Sequence, residues 1–410
     1  MLNENFLLDA FEQTGNDLNE LRELISEVSK ATSFETVLSG DLNILSFRRK
    51  ENEERISFYK MAPRHMPTDT DGILGNHVVG VNTSSISGRG DFTSLIKEVV
   101  ENSKFCLYNE KANKAYFASA TGVITSLERF GLNGMALLEP SIPRDLMIAE
   151  CFKKDISCTA VIREFNGTKK IMALMSPKYG AIDQNIIFDI LDRFPAEMGT
   201  PVCKKWNFTH FRTNVYVEFP EKAKELCALY KLPNAWVPGV MISTSDVGQN
   251  SLRVTGTWRH GDSITAHKTV SRKHIGAIVP EKLIKEVDSE IFSEYNKLPE
   301  RLLELLSVSV EFGNIPKTIK KIFKEIKITD TLGKKRAKSL REALINEFSP
   351  SMEYSAYDIV TNIMSIPERV SMKEGYVLER LRKCCGMSPY VFDNKNSFKE
   401  EDEEELILVA

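Results

Sequence analysis

The chain contains no run of eighteen apolar residues, no Cys-x-x-Cys pair, and none of the motifs Gly-x-Ser-x-Gly, Gly-x-x-x-x-Gly-Lys or His-Glu-x-x-His. The first absence leaves no candidate for a membrane-spanning helix, which needs about 20 such residues. The second argues against a zinc ribbon. The seven cysteines (Cys106, Cys151, Cys158, Cys203, Cys227, Cys384, Cys385) are scattered and odd in number, so they read as reduced thiols rather than a disulfide scaffold. Without the other motifs there is no nucleophile elbow, nucleotide phosphate loop or zinc-protease helix, and no catalytic residue, metal site or cofactor is expected. Met1 to Glu4 lacks the basic and apolar stretches that open a secretory signal, so a cytoplasmic protein is expected. Net charge is also scarce: 54 Lys and Arg stand against 57 Asp and Glu, a formal −3, so any charge signal must be local. With 42% hydrophobic residues in a chain of 410, a sizeable core over two or three domains is expected.

Four regions follow from the patterning, and together they predict an α+β protein: a hairpin-rich mixed α/β core, a helical C-terminal region and an acidic disordered tail. Residues 1–145 form an acidic α+β region, whose first 45 residues hold nine acids against two bases. There Leu18, Leu21, Ile25 and Val28 predict an amphipathic helix over Asp17 to Lys30, set off by Gly15 and Asn16 from an earlier one. Gly72 to Gly90 reads as a short strand around His77 to Val81 and an open loop. In the core, 146–279, Thr159 to Phe165 and Lys169 to Met175 flank Asn166-Gly167, a hairpin signal because both turn residues need positive φ. A helix from Asp183 to Phe194, a strand at Val215 to Phe219, a helix from Glu221 to Tyr230, and strands at Val240 to Ser243, Leu252 to Trp258 and Ser263 to Val270 follow. Region 280–392 is basic and helical, with helices over Lys282 to Tyr295, Arg301 to Phe312, Pro316 to Ile328, Gly333 to Phe348, Tyr354 to Met364 and Val377 to Cys384. Residues 393–410 form the tail, with six consecutive acids from Glu400 to Glu405 before Leu406-Ile407-Leu408-Val409-Ala410.

Two clusters carry charge suited to phosphates. Between Lys317 and Arg341 lie ten bases and two acids. Lys317, Lys320, Lys321, Lys324 and Lys327 recur at helical spacing opposite Ile315, Ile319, Ile322, Phe323 and Ile326, giving one basic and one apolar stripe. Within this stretch Thr331-Leu332-Gly333-Lys334-Lys335-Arg336-Ala337 resembles a helix-hairpin-helix phosphate loop, with Thr331 where the usual first glycine stands. The competing reading is a plain turn with Asp330 or Thr331 as N-cap. The second cluster, Arg253, Arg259, Lys268, Arg272 and Lys273 beside Trp258, is a basic strand face with an aromatic on which an unstacked base could lie. His260, His267 and His274 are seven apart, which fits no standard zinc motif. Asp183, Asp189 and Asp192 read as capping and solvated residues, and Cys384-Cys385 as structural, with a lowered thiol pKa the alternative.

Around the hairpin, Ile162-Arg163, Asn166-Gly167, Leu174-Met175-Ser176-Pro177-Lys178-Tyr179 and Asp183-Gln184 leading to Ile187 resemble the phage/plasmid-like protein family of unknown function. In that family a strand ending in a Leu-Ser-x-x-Tyr element precedes an Asp-initiated helix. Ser243-Thr244-Ser245-Asp246-Val247-Gly248 with Ser251-Leu252-Arg253 is similar to its Asn-Ser-x-x-Gly-x-x-Ser-Leu-Arg element, and Lys273-His274-Ile275-Gly276 to its late His-x-Gly. The stretch from Tyr357 to Asn362 is similar to its C-terminal helix. The likeness runs from Ala160 to Met364 and departs at Arg259-His260-Gly261-Asp262, where the family often has Cys-Thr-Asn-Gly after an Arg. It implies a gene of a phage or mobile element in a bacterial host and no settled activity.

The charge pattern then points to a non-enzymatic nucleic-acid-binding protein that binds or anneals single-stranded DNA in replication or recombination. The expected contacts are Arg253, Trp258, Arg259, Lys268, Arg272, Lys273, Lys320, Lys321, Lys324, Gly333, Lys334, Lys335, Arg336 and Lys338. The alternative is a protein-interaction factor that modulates host functions or defence without nucleic acid. A hydrolase using the three histidines is a third reading. The tail is read as inert, as a competitor for the cationic groove, or as a docking peptide for a protein partner, and a homo-oligomer is compatible with all of these.

Overall fold

The computed structural model describes residues 2–49, 56–61, 78–80, 106–109, 114–138, 142–180, 183–233, 236–273, 279–370 and 375–391. Most of the Gly72 to Gly90 stretch, His274 and the 393–410 tail lie outside these. The protein is α+β, as its patterning predicts. Its strands are β1 (Glu12–Gly15), β2 (Thr32–Leu38), β3 (Leu42–Arg49), β4 (Ile56–Met61), β5 (Val78–Gly80), β6 (Cys106–Asn109), β7 (Lys114–Ala118), β8 (Ser157–Phe165), β9 (Thr168–Met175), β10 (Val202–Thr209), β11 (Thr213–Glu218), β12 (Trp236–Thr244), β13 (Leu252–His260), β14 (Ser263–Arg272), β15 (Ser309–Val310) and β16 (Tyr354–Ser355). The helices that matter below are α1 (Leu18–Lys30), α2 (Ala120–Arg129), α3 (Ile142–Phe152), α4 (Ile186–Leu191), α5 (Pro220–Tyr230), α6 (Pro280–Glu290), α7 (Lys297–Leu306), α8 (Ile315–Glu325), α9 (Ile328–Leu332), α10 (Lys334–Ile345), α11 (Ala356–Met364), α12 (Ile366–Arg369) and α13 (Gly375–Gly386).

Two large sheets organise these elements. One has eight strands in the order β2-β8-β9-β7-β6-β3-β4-β5, antiparallel except where β7 runs parallel to β9. Helices α2 and α3 share an apolar core with it, including Leu127, Ile148 and Phe152. The other has six antiparallel strands in the order β1-β10-β11-β12-β13-β14. Its core is continuous with α1 and with the C-terminal helices through residues such as Leu21, Val240, Leu283, Ile322 and Ile363.

The local signals act as read at several places. Asn166 (φ 50) and Gly167 (φ 80) turn the chain between β8 and β9, since Asn tolerates the left-handed region and Gly has no Cβ to obstruct it. Asp17 caps α1, accepting from the Asn19 amide at 2.8 Å, and Leu21, Leu24, Ile25 and Val28 bury its apolar face.

Other expectations are corrected. The segment before Gly15 is no helix but β1, paired with β10. Gly15 is required there because a Cβ would stand 2.5 Å from the Trp206 ring. The division at 145/146 does not separate structural units: β2 pairs with β8 and β7 with β9 across it, and β1 belongs to the six-stranded sheet. The helix expected over Arg301 to Phe312 stops at Leu306, because Ser309–Val310 pairs with Tyr354–Ser355 instead. Likewise α4 begins at Ile186 rather than Asp183, whose carboxylate accepts from the Asn185 amide and the Ser29 hydroxyl.

Candidate nucleic-acid interface

The apolar stripe of α8 is buried as its spacing demands. Ile315, Thr318, Ile319, Ile322 and Phe323 face the core, while Lys317, Lys320 and Lys324 are exposed. Lys327 adopts φ 54 and breaks the run, so α9 starts at Ile328. The chain then turns at Gly333, with φ 77 and ψ 157, a conformation essentially restricted to glycine. Its amide closes α9 by donating to the Thr329 carbonyl at 2.8 Å, and its carbonyl opens α10 by accepting from the Ala337 amide at 3.1 Å. Asp330 and Thr331 are therefore inside α9 and neither is the N-cap of the next helix, which corrects the capping expected of them; the turn itself is made at Gly333. No side chain caps α10, and nothing lies within 4 Å of where a Gly333 Cβ would stand.

Lys334, Lys335 and Arg336 occupy that uncapped first turn and are exposed. Their side-chain cations and the dipole of a 12-residue helix act in the same direction. Lys338 is paired loosely with Glu342 at 4.0 Å, both well exposed, a contact worth little in water. By contrast Lys317, Lys320, Lys324, Lys327, Lys334, Lys335 and Arg336 have no ion pair among the described residues.

The β cluster fares differently. Trp258 is 2% exposed, edge-on to Tyr295 at 5.2 Å, so no base can stack on it, and the expectation that it forms a stacking platform is corrected. The other two tryptophans, Trp206 and Trp236, are buried as well. Arg259 makes a two-pronged contact with Glu218, at 2.5 and 3.0 Å. Burial pushes the Glu218 carboxyl up, but bonds from Arg259 and Tyr216 and the nearby Lys204 overcome this and hold it below its usual range. Arg253 pairs with Glu379 on α13 at 3.2 Å, Arg272 with Glu286, and Lys268 with Glu290 at 3.9 Å. Only Lys273 of the five cations is exposed without an ion pair among the described residues. Arg253 thus ties α13 to the sheet, Arg272 and loosely Lys268 tie α6 to it, and Arg259 is paired within it, so of the expected face only Lys273 presents an unopposed charge.

The histidines also separate. His260 stacks on Trp236 at 4.5 Å, whereas His267 is buried beneath Tyr295 and over Gly256, whose missing Cβ leaves room for the imidazole. Burial and then Lys268 push the His267 pKa down to about 4. No metal-binding group is found among the described residues. Cys385 is fully buried and its thiol is pushed well up, opposite to an activated thiol.

Two features escaped the sequence reading. First, Arg380 and Lys383 of α13 stand across from Lys321 and Lys327, around a groove of about 650 Å³ that also touches Glu325, Met387 and Val391. Second, an ionic cluster is buried where β8 and β9 meet the loops of the six-stranded sheet. Fully buried Arg163 donates to Asp246 at 2.5 Å and contacts Nδ1 of His210 at 2.6 Å. Burial, with Arg163 and Lys170 nearby, drives the His210 pKa well down, so the imidazole is neutral. Lys170, also fully buried, pairs with Asp9 at 2.7 Å and donates to the Leu7 carbonyl at 2.6 Å. The adjoining cavity, lined by Asp183, Gln184 and Asp246, measures about 100 Å³, room for a few waters and not for a nucleotide. An Arg inside Ala160-Val161-Ile162-Arg163 was the available signal, because a charge on a buried strand must find a partner.

No family model, no curated protein and no solved structure matches the chain. Among the described residues, no helix is long and apolar enough to cross a membrane.

Proposed function

We propose that the protein binds nucleic acid by its phosphate backbone, through the exposed faces of α8 and α10. The observation that carries this reading is the Gly333 turn. An open glycine in a conformation other residues avoid presents an uncapped helix start whose first three residues are Lys334, Lys335 and Arg336. Lys317, Lys320, Lys324 and Lys327 extend the unpaired charge beyond it. With all three tryptophans buried, backbone attraction is favoured over base stacking, and the resemblance to the phage/plasmid-like family supplies a mobile element in a bacterial cytoplasm as the setting. Single-stranded DNA remains the proposed partner on that setting.

The test is binding to a single-stranded oligonucleotide and to a duplex across a salt series. Each phosphate contact contributes about −0.7 to the log-log slope for single strands and about −0.9 for duplex. A slope of about −3 or steeper supports the reading, and tighter binding to duplex would replace single-stranded DNA as the partner. Affinity absent from both at low salt would leave the acidic-protein partner as the surviving account of these helices.

A further inference from the structure

The groove between α8 and α13, about 650 Å³, falls within the ~300–1,000 Å³ of small-molecule sites. Its polarity is graded along one helix face. Arg380, Lys383 and Met387 follow one another at steps of three and four on α13 and its continuation, since Met387 keeps a helical φ of −84 and ψ of −11, and all three line the groove and are exposed. At about 1.5 Å per residue, the path from Arg380 to Met387 sets the cationic end about 10 Å from the apolar end. Tyr390, whose amide donates to the Met387 carbonyl at 3.1 Å, and then Val391 continue the apolar lining. Across from Arg380 and Lys383, Lys327 adds a third cation, and among the described residues none of these three has an ion pair. Glu325 is the one acid of the lining. Few ligands satisfy both ends. An inorganic anion leaves the Met387 end bare, and an acyl chain leaves three cations without a counter-charge. Carboxylates spaced along a peptide match poorly two cations one helical turn apart with a third facing them, whereas adjacent phosphates match them well. We infer that the groove binds a free nucleoside diphosphate, with its phosphates between Lys327, Arg380 and Lys383 and its base against Met387 and Val391. A thioether adapts to the edge of a flat ring, and the Glu325 carboxylate is an acceptor for a sugar hydroxyl. The site uses none of the residues of the Gly333 turn, so it stands whether or not α8 and α10 bind nucleic acid.

ADP is the probe, titrated calorimetrically into the full chain alongside adenosine and pyrophosphate. The expected result is saturable ADP binding, with adenosine and pyrophosphate each about tenfold or more weaker, because each reaches only one end of the groove. Lys383→Glu should weaken ADP by about tenfold or more, since a bond to a charged group is lost and a like charge faces the phosphates. Lys383 is exposed, so the variant should fold, which its thermal unfolding checks. The location is read at half-buried Cys384, which lines the groove: saturating ADP should slow its labelling by a maleimide, while half-buried Cys227, outside the groove, labels at an unchanged rate. No binding heat and no protection of Cys384 at about 1 mM ADP would overturn the inference. So would pyrophosphate binding as tightly as ADP, which would reduce the groove to a cluster of charge. Displacement of ADP by a lower concentration of hexaglutamate would overturn it in favour of an acidic peptide, and displacement by an equal concentration of a 5′-phosphorylated oligonucleotide would overturn the free-nucleotide assignment. Replacing Lys334, Lys335 and Arg336 with Ala should leave ADP binding unchanged while weakening DNA, which keeps the two failures distinguishable; an equal loss of ADP would move its site out of the groove and overturn the inference.

Discussion

A handful of residues do things their neighbours could not substitute for. Gly333 holds φ 77 and ψ 157 with open space around its Cα, so the cost of Gly333→Ala is backbone strain alone, about 1–3 kcal/mol. Denaturant unfolding should show that loss, and a variant as stable as the parent would disprove the turn. His267 carries a different liability. Its folded pKa of about 4 lies below the unfolded value near 6.5, so the unfolded chain binds the extra proton first. Its contribution to stability is complete above about pH 6.5, falls as the pH drops, and has lost about 3 kcal/mol by pH 4. His267→Leu should therefore flatten the stability curve between pH 7 and 4.5 relative to the parent, and parallel curves would show that the imidazole is not buried neutral. Asp246 supplies the counter-charge of the fully buried Arg163. Asp246→Asn leaves a buried guanidinium without its counter-charge and should cost about 3–5 kcal/mol, whereas replacing both partners with apolar residues should recover much of that loss.

At the scale of elements, the proposed function divides α10 from α8. Replacing Lys334, Lys335 and Arg336 together with Ala should reduce the magnitude of the salt slope by about 2–3 and leave folding intact, since all three are exposed. The pair Lys320→Ala and Lys324→Ala should cost less per residue, because those lysines lie along α8 without a helix start beneath them; equal losses per residue would mean a diffuse surface and no privileged turn. How far these elements were legible depended on where their information lies. The stripe of α8, the cap of α1 and the Asn166-Gly167 turn are written within a dozen residues each, and periodicity or φ preference suffices to read them. The end of the helix begun at Lys297 was not legible, because Ser309 and Val310 leave it to pair with residues near 354. The β cluster misled for the same reason. Arg253, Arg259 and Arg272 look unopposed in the sequence, and their acids, Glu379, Glu218 and Glu286, arrive from α13, β11 and α6.

For the whole molecule, the boundaries drawn from composition follow charge and not pairing. The acidic first region supplies six strands to the eight-stranded sheet and one to the other, so it is woven into both. Where the sheets meet, Arg163 and Lys170 of β8 and β9 are held by Asp246 and His210, from the β12–β13 and β10–β11 connections, and by Asp9, just before β1, which joins the two sheets through charges that tolerate little displacement. Arg163 on an apolar strand signalled that a partner must exist, but not which one, because no single segment contains both halves of any pair. The pairing of β1 with β10 carries a consequence in time. Gly15 meets Trp206 only after about 190 further residues have been made, and at about 5–20 residues per second a ribosome needs roughly 10–40 s to deliver them. Throughout that interval Glu12 to Gly15 has no edge to join, and Phe11 lacks the Phe208 ring against which it packs at 6.2 Å. Loop closure over such a separation is slow and exposes apolar surface while it waits. The interval before β10 is made is thus a stage of synthesis at which the start of this chain stands open to capture by a chaperone.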